Sequence, residues 1–334
     1  MVFPRTETTS HPLQFIDADT VHERLDYPTL VEGLKSAHLN QQSALNDLLI
    51  SQPGSGSDPN QLFIRSAWES GGSLGTKIIT IFPNNRNHTK KPTIQALFIL
   101  FDGEDGSPHA VIDGQALTAL KTAGDSALGT HFLAKQNIST LLMVGAGAMA
   151  PHLIRAHLSM RPSCQHIKIW NRTAKRAEIL AEALQAEFPS VEPVDDLAAA
   201  VSSADLISCA TMAETPLIRG EWLSPGTHLD LVGAYRPNMR EADDEAVRRG
   251  TLHVDSRETT LGEVGELIIP IKNGVLSESD IVADHYQRCR GEHPGRLSES
   301  EITLFKNGGG GHLDLMTAKI LMGQLNKNRR PPIS

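Results

Sequence analysis

The sequence predicts an α/β protein, with a doubly wound parallel sheet in its second half and a smaller, strand-rich unit before it. Three observations carry this reading. From residue 140 to about 272, apolar strand segments alternate with helical ones, as a parallel sheet with crossover helices requires. Before residue 113, strand-like runs follow one another across polar turns with no helix between, which suits an antiparallel or mixed sheet. Residues 140–176, TLLMVGAGAMAPHLIRAHLSMRPSCQHIKIWNRTAKR, run from an apolar strand through a glycine-rich turn and a helix into a second apolar strand.

The elements follow in order. Residues 21–50 read as helical, with Val21, Leu25, Tyr27, Leu30 and Leu34 giving a rough apolar face. SQPGSGSDPN (51–60) is too polar and too rich in Gly and Pro to be anything but a loop. Strands are expected at Leu62–Trp68, at TKIITIF (76–82), at QALFILFD (95–102) and in HAVIDG after the turn GEDGSP. Asp113 is a good N-cap for one long helix over GQALTALKTAGDSALGTHFLAKQ, whose apolar side is Leu117, Leu120, Ala127, Leu128 and Phe132. The strands LLMVG, IKIWN, DLISCAT, THLDLVGA and TLHVDS then alternate with helices near 174–187 and 241–249. The tail, from ITLFKNGGGGHLDLMTAKILMGQL onward, ends in a helix.

Composition narrows the function classes. A chain of 334 residues is long enough for two domains, each with its own core. A net charge of −8 offers no basic field for nucleic acid or for an anionic membrane surface, so neither partner is expected. No apolar run reaches the roughly 18 residues of a membrane span, and the first residues lack the pattern of a signal peptide. Cys164, Cys209 and Cys289 are few and scattered. They read as reduced thiols of a cytoplasmic protein and not as a disulfide framework or zinc site, and no metal is expected.

The turn at Gly145-Ala146-Gly147-Ala148-Met149-Ala150 has the form of a dinucleotide fingerprint. Gly145 permits the tight bend and Gly147 lets backbone approach a pyrophosphate. Ala150 lets the helix pack closely, and the helix N-terminus offers free N–H groups and a partial positive charge. At the end of the second strand, an NAD site usually places a carboxylate on the ribose 2′-hydroxyl. Here Asn171, Arg172, Thr173, Lys175 and Arg176 stand there instead. A guanidinium suits a 2′-phosphate, so NADPH is the expected coenzyme and NADH the other option.

Several stretches carry a resemblance: GTKIITIFPNN, QALFILFDGEDGSPHAVIDGQALTALKTAGDSALG, VGAGAMA, LVGAYRPNMREADDE and LFKNGGGGHLDLMTAK. In that order, from about 74 to 320, they resemble the ornithine cyclodeaminase/mu-crystallin family, whereas the first 60 residues match only loosely. The resemblance implies a Rossmann domain, residues 126–311, inserted into an α+β substrate-binding and dimerisation domain made of residues 1–125 and 312–334. It implies hydride transfer between nicotinamide C4 and a nitrogen-bearing carbon beside a carboxylate. Such chemistry needs a cation for the carboxylate and a group to manage a proton.

By resemblance Lys77 takes the carboxylate-binding lysine position. Family members usually carry Arg-Thr-Ala where this chain has Lys121-Thr122-Ala123. Lys121 then either binds the carboxylate as a point charge or pairs with Asp125 one turn on. Asp125 is read as orienting Lys121 or donating a proton, and Arg65 stands in for the family's N-terminal arginine. Cyclodeaminases place an Asp just after the Val-Gly-Gly loop, and Tyr235 holds that place here. Tyrosine is a poor base at neutral pH, with a reference pKa of about 10, though it can still donate a hydrogen bond. Gly308, in the glycine run after Asn307, is expected near the nicotinamide and substrate, with His312 and Asp314 beside it as proton-transfer or helix-start residues. Thr93, Thr122, Ala210, Thr211, Val232, Gly233, Ala234 and Asn307 match positions near the dinucleotide.

The expected enzyme is an NAD(P)H-dependent reductase of a small cyclic ketimine carboxylate, first among them delta1-pyrroline-2-carboxylate, giving L-proline. Lys77, Lys121, Asp125 and Tyr235 are its candidate reacting groups. An ornithine cyclodeaminase or amino-acid dehydrogenase is one alternative. A non-catalytic NADPH-dependent binding protein like mu-crystallin is another. The partners expected are a small imino or amino acid and, in a homodimer, a second copy of the chain.

Overall fold

The computed structural model describes residues 13–40, 42–53, 58–85 and 91–327. The chain divides after Leu25, Asn40, Thr118 and Gly310 into two compact units. The first, third and fifth segments form one unit, and the second and fourth form the other. The segment after Leu25, expected with the strand-rich unit, groups with the parallel sheet instead. Its helix Tyr27–Ala37 packs on helices Ala150–Met160 and His285–Cys289 of that unit.

In the first unit, β1 (Gln14–Ile16), β2 (Ala44–Gln52), β3 (Asn60–Trp68), β4 (Leu74–Ile81), β5 (Ile94–Phe101) and β6 (Pro108–Asp113) form a six-stranded sheet of order β1-β6-β5-β4-β3-β2. β2 to β6 run antiparallel as a meander, and β1 adds parallel to β6, so the sheet is mixed. The strand β2 corrects the expected helix over 21–50, where the helices are Ala18–Arg24, which starts earlier, and Tyr27–Ala37. ALNDLLISQ is an edge strand with apolar residues on both faces, so it lacks the alternation that identifies a half-buried strand.

One face of this sheet is covered by the helix Gly311–Lys327. A side chain at Gly75 on β4 would strike Phe98 and Leu315, so glycine there lets helix and sheet close up. On the other face Phe15, Leu48, Ile50 and Leu97 are exposed. They share that face with Ile64, Ile78, Ile99 and Val111.

In the second unit, β7 (Thr140–Val144), β8 (His166–Trp170), β9 (Val191–Pro193), β10 (Leu206–Cys209), β11 (His228–Leu231), β12 (Thr251–Val254), β13 (Ile281–Ala283) and β14 (Thr303–Lys306) form an all-parallel, eight-stranded sheet. Its order is β13-β12-β14-β11-β10-β7-β8-β9. β7 and β14 are buried along their whole length, as expected of strands covered on both sides. The chain winds outward from β7 through β8 to β9 and then returns to β10 on the other side of β7. The carboxyl ends of β7 and β10 are therefore the switch point at which such sheets open a ligand crevice.

The long helix Gly114–Leu133 begins where expected, with Asp113 Oδ1 accepting from the amides of Gln115 (3.0 Å) and Ala116 (2.8 Å). The boundary after Thr118 falls within its second turn. Among the described residues no helix is long and apolar enough to cross a membrane, and all three cysteines are free.

Candidate active site

At the switch point the backbone of Gly145 has φ +106°, and a Cβ there would lie 2.7 Å from the carbonyl of Ala210. Only glycine makes this turn while β10 ends so close. Around Gly147 nothing lies within 4 Å of where a Cβ would stand. The amides of Gly147, Ala148 and Met149 donate to no described residue, and the helix Ala150–Met160 has no side-chain cap. Exposed, unspent N–H groups at a helix N-terminus are what a phosphate needs, so this turn fits a dinucleotide.

Asn171 serves the turn from the end of β8. Its Oδ1 accepts from Ala146 N at 3.1 Å, and its Nδ2 donates to the carbonyl of Thr173 at 2.9 Å. Arg172, Thr173 and Arg176 stand exposed beyond it, while Lys175 pairs with Glu178 at 2.9 Å on the helix surface.

The next two strand-end loops are joined by one buried carboxylate. Glu241 Oε1 accepts from the amide and hydroxyl of Thr211 (2.7 and 2.8 Å), and its Oε2 accepts from Gly233 N at 2.7 Å. A Cβ on Gly233 would come within 2.0 Å of Thr211's carbonyl, so the two loops touch. Glu266 in turn accepts from the amides of Glu241 (2.8 Å) and Ala242 (3.0 Å). The Lys306 ammonium, fully buried, donates to the carbonyl of Leu231 at 3.1 Å. Burial pushes the Glu241 carboxyl up to about 7, with Lys306 pulling the other way.

The glycine run is held in the same manner. Asp255 Oδ2 accepts from the amides of Gly308 (2.9 Å) and Gly309 (2.6 Å), and its Oδ1 accepts from Ser256 N and Thr260 Oγ1. Gly309 and Gly310 both have positive φ, and a Cβ on Gly309 would lie 2.9 Å from Lys121 Nζ. Asn307 Nδ2 donates to the carbonyl of Thr122 and to Ser126 Oγ, both at 3.0 Å. Ser126 donates to Asp230, which also accepts from Ser208 and faces His157.

Lys121 is 5% exposed and makes no ion pair or hydrogen bond among the described residues. Of the two alternatives for Lys121, the direct ion pair with Asp125 does not form. Asp125 is fully buried, and its Oδ1 faces His285 Nε2 at 3.2 Å. Arg288 donates to His285 Nδ1 at 2.7 Å, which leaves the ring proton on Nε2, toward Asp125. Burial drives the Asp125 carboxyl up to about 8 and the His285 imidazole well down, so a neutral acid faces a neutral ring.

In the first unit, Asp47, Arg65, Lys77 and Phe98 are successive cross-strand partners on the helix-covered face. Lys77 is 4% exposed. Its Nζ lies 2.9 and 2.8 Å from the two oxygens of Asp314, itself fully buried, and 3.3 Å from Thr118 Oγ1. Arg65 turns its Nε (2.8 Å) and Nη2 (2.7 Å) toward Asp47.

Against this geometry the comparisons with known proteins are decisive for the family. The profile described as "Ornithine cyclodeaminase/mu-crystallin family" matches residues 65–328. The chain belongs to the ornithine cyclodeaminase/mu-crystallin family. It is 41% identical over 308 residues to a delta(1)-pyrroline-2-carboxylate reductase of Paracoccus denitrificans, covering 92% of this chain and 96% of that one. Ketimine reductase mu-crystallin of Mus musculus is 36% identical over 252 residues, 75% of each chain. The structure of Thermococcus litoralis delta(1)-pyrroline-2-carboxylate reductase in complex with NADH and L-proline superposes with a TM-score of 0.85. It is 27% identical and covers 95% of this chain and 98% of that one.

For this member of the family, the second unit gathers most of the residues singled out from sequence. Gly145 to Met149 and Asn171 meet at the turn, and Ala210, Thr211, Val232, Gly233 and Ala234 follow the neighbouring strands. Lys121, Thr122, Asn307 and Gly308 cluster around the glycine run. Several of these residues already have partners within their own unit. Thr211 and Gly233 donate their amides to Glu241, and Asn171 accepts from and donates to the backbone of the turn with its side-chain amide. Tyr235 is exposed, with Arg236 over its ring, and Asp125 lies below the surface. Thr93, just before β5, accepts at its backbone carbonyl from Phe82 N at 2.8 Å within the first unit. Sequence reasoning missed Glu241, Asp255 and Glu266. Each is an ordinary carboxylate in a loop or helix start, and only its burial among backbone amides marks it out.

Proposed function

We propose that the chain is an NAD(P)H-dependent reductase of small cyclic ketimine carboxylates, converting delta1-pyrroline-2-carboxylate to L-proline. The observation that carries the reading is Lys121, a nearly buried ammonium that makes no ion pair or hydrogen bond at contact distance among the described residues and is seated against Gly309, with Asp125 the nearby carboxyl whose charge it favours. A buried cation is stable only when paired, and a substrate carboxylate supplies the missing charge. The absence of a cyclodeaminase-type Asp at Tyr235 favours reduction of a preformed imine over loss of ammonia. The relatives named as pyrroline-2-carboxylate and ketimine reductases support the same choice.

A bound reduced nicotinamide supplies the hydride. The chain's own residues bind and orient. The turn at Gly147 and the helix behind it take the pyrophosphate, and Arg172 takes a 2′-phosphate, which makes NADPH the preferred coenzyme. Lys121 holds the carboxylate and Asp255 fixes the glycine run beside it. The imine nitrogen gains one proton as its carbon gains the hydride, from Tyr235, Asp125 or water. Lys77, paired with Asp314, is the candidate cation of the first unit, and its loss is expected to lower turnover.

The protein acts as a homodimer in this proposal, with the exposed apolar face of the six-stranded sheet as the interface. Phe15, Leu48, Ile50 and Leu97 there form a patch of the kind that subunits cover. Three free thiols suit a reducing compartment such as the cytoplasm. The test is coenzyme oxidation with pyrroline-2-carboxylate, its six-membered homologue and decarboxylated pyrroline. Turnover of the acids alone supports the reading, and no turnover of any imine with either coenzyme contradicts it.

A further inference from the structure

The loops after β10, at the switch point, and after its neighbour β11 leave the sheet side by side, and neither is held by a strand ladder beyond Cys209 and Leu231. Backbone bonds join them at Gly233 N to the carbonyl of Cys209 (3.3 Å) and Arg240 N to that of Ala213 (2.9 Å). The side chain that bridges them is Glu241, fully buried, taking three hydrogen bonds of 2.7–2.8 Å from Thr211 and Gly233. The carboxylate is itself fixed. Its backbone amide is tied to Glu266, the following amide to the same carboxylate, and Lys306 lies near it with its ammonium on the carbonyl of Leu231. Glycine at 233 is compelled by the same closeness, since a side chain there would strike both Thr211 and Glu241.

We infer that Glu241 is a positioning residue for the coenzyme. By clamping the loops at Thr211 and Gly233 together, it sets the width of the crevice edge that faces the dinucleotide turn, acting through those loops and not by touching a ligand. The inference rests on the reading that a dinucleotide binds at the Gly145–Met149 turn. A carboxylate is needed because two backbone amides and a hydroxyl must all be accepted within one buried spot. An amide side chain of equal size offers a single acceptor oxygen and turns N–H groups toward the other donor.

The experiment measures NADH and NADPH binding by the fluorescence of the reduced nicotinamide in wild type, Glu241→Gln and Thr211→Val. Amide hydrogen exchange at residues 211 and 233 and the melting temperature are followed in the same samples. Glu241→Gln is expected to weaken binding by about tenfold or more and Thr211→Val by about threefold. Exchange at both loops should quicken, and KM for coenzyme should rise more than kcat falls. Glu241→Gln that binds as wild type does, even with a lower melting temperature, overturns the inference and leaves the coenzyme reading standing. If that variant fails to fold, Thr211→Val decides, and unchanged affinity there overturns it. Wild-type protein that binds neither coenzyme overturns the coenzyme reading and the inference with it.

Discussion

Lys77 and Asp314, separated by 237 residues in sequence, meet as an ion pair with almost no solvent access. Nζ lies 2.9 Å from one carboxylate oxygen and 2.8 Å from the other. The strand β4 and the helix Gly311–Lys327 are thereby tied by charge as well as by the packing of Gly75 against Leu315. Removing one partner of such a pair strands the other charge in the interior. Lys77→Ala is therefore expected to cost about 3–5 kcal/mol of stability. Replacing both, Lys77→Met with Asp314→Leu, should restore most of that loss. If Lys77 serves the reaction, the double variant stays inactive although it is stable, and thermal melts beside turnover assays separate the two effects. A stable, active double variant would restrict the pair to a structural role.

In the proposed function coenzyme choice rests on Arg172, which is exposed just past β8. Arg172→Ala is expected to raise KM for NADPH about tenfold, the worth of one charge-assisted contact, and to leave KM for NADH nearly unchanged. Parallel titrations with the two coenzymes check this. Equal losses for both would place the residue on the shared part of the dinucleotide.

The buried carboxyl of Asp125 gives a pH signature. Burial lifts it to about 8, whereas in the unfolded chain it ionises near the usual carboxylate value of about 4. Between these values the folded protein keeps a proton that the unfolded chain has released. The stability this group contributes is full below about pH 4 and is lost as pH rises toward 8. Asp125→Asn, neutral at every pH, removes that dependence. Its melting temperature relative to wild type should therefore be higher at about pH 9 than at about pH 5. A constant difference across that range would mean the carboxyl is ionised in the fold.

The uncovered sheet face makes its own prediction. Leu48 and Leu97, 52% and 44% exposed, lie in one cross-strand row with Ile64 and Ile78 between them. Leu48→Asp with Leu97→Asp should leave the monomer folded, because neither side chain is buried within it. Sedimentation should show dimers for wild type and monomers for the variant. Monomeric wild type would remove the proposed interface.

Much of the second unit was legible because a parallel sheet is written locally. The run TLLMVGAGAMA holds strand, turn and helix start within eleven residues, and Gly145 and Gly147 do what their positions require. The grouping of Tyr27–Ala37 with the parallel sheet was not legible, since it depends on what that helix meets after folding. The edge strand β2 was hidden by apolar residues on both its faces, one of them left uncovered. β14 was hidden by its brevity: LFK gives no periodicity, yet it sits between β11 and β12. In the site, lysines could be placed by motif, but their partners could not. Nothing local distinguishes Asp314, which makes a direct ion pair with Lys77, from Asp125, which makes none with Lys121. Glu241 and Asp255 were invisible for the same reason, because their work is done on backbone amides distant in sequence.

The most direct measurement is transfer of deuterium. NADPH labelled with deuterium at nicotinamide C4, on the transferable face, is incubated with the protein and delta1-pyrroline-2-carboxylate, and the product is read by mass spectrometry. Proline carrying one deuterium at its α-carbon, formed much more slowly by Lys121→Ala, is the predicted result. Coenzyme bound but unconsumed, or proline formed without the label, would contradict hydride delivery to a ketimine carboxylate.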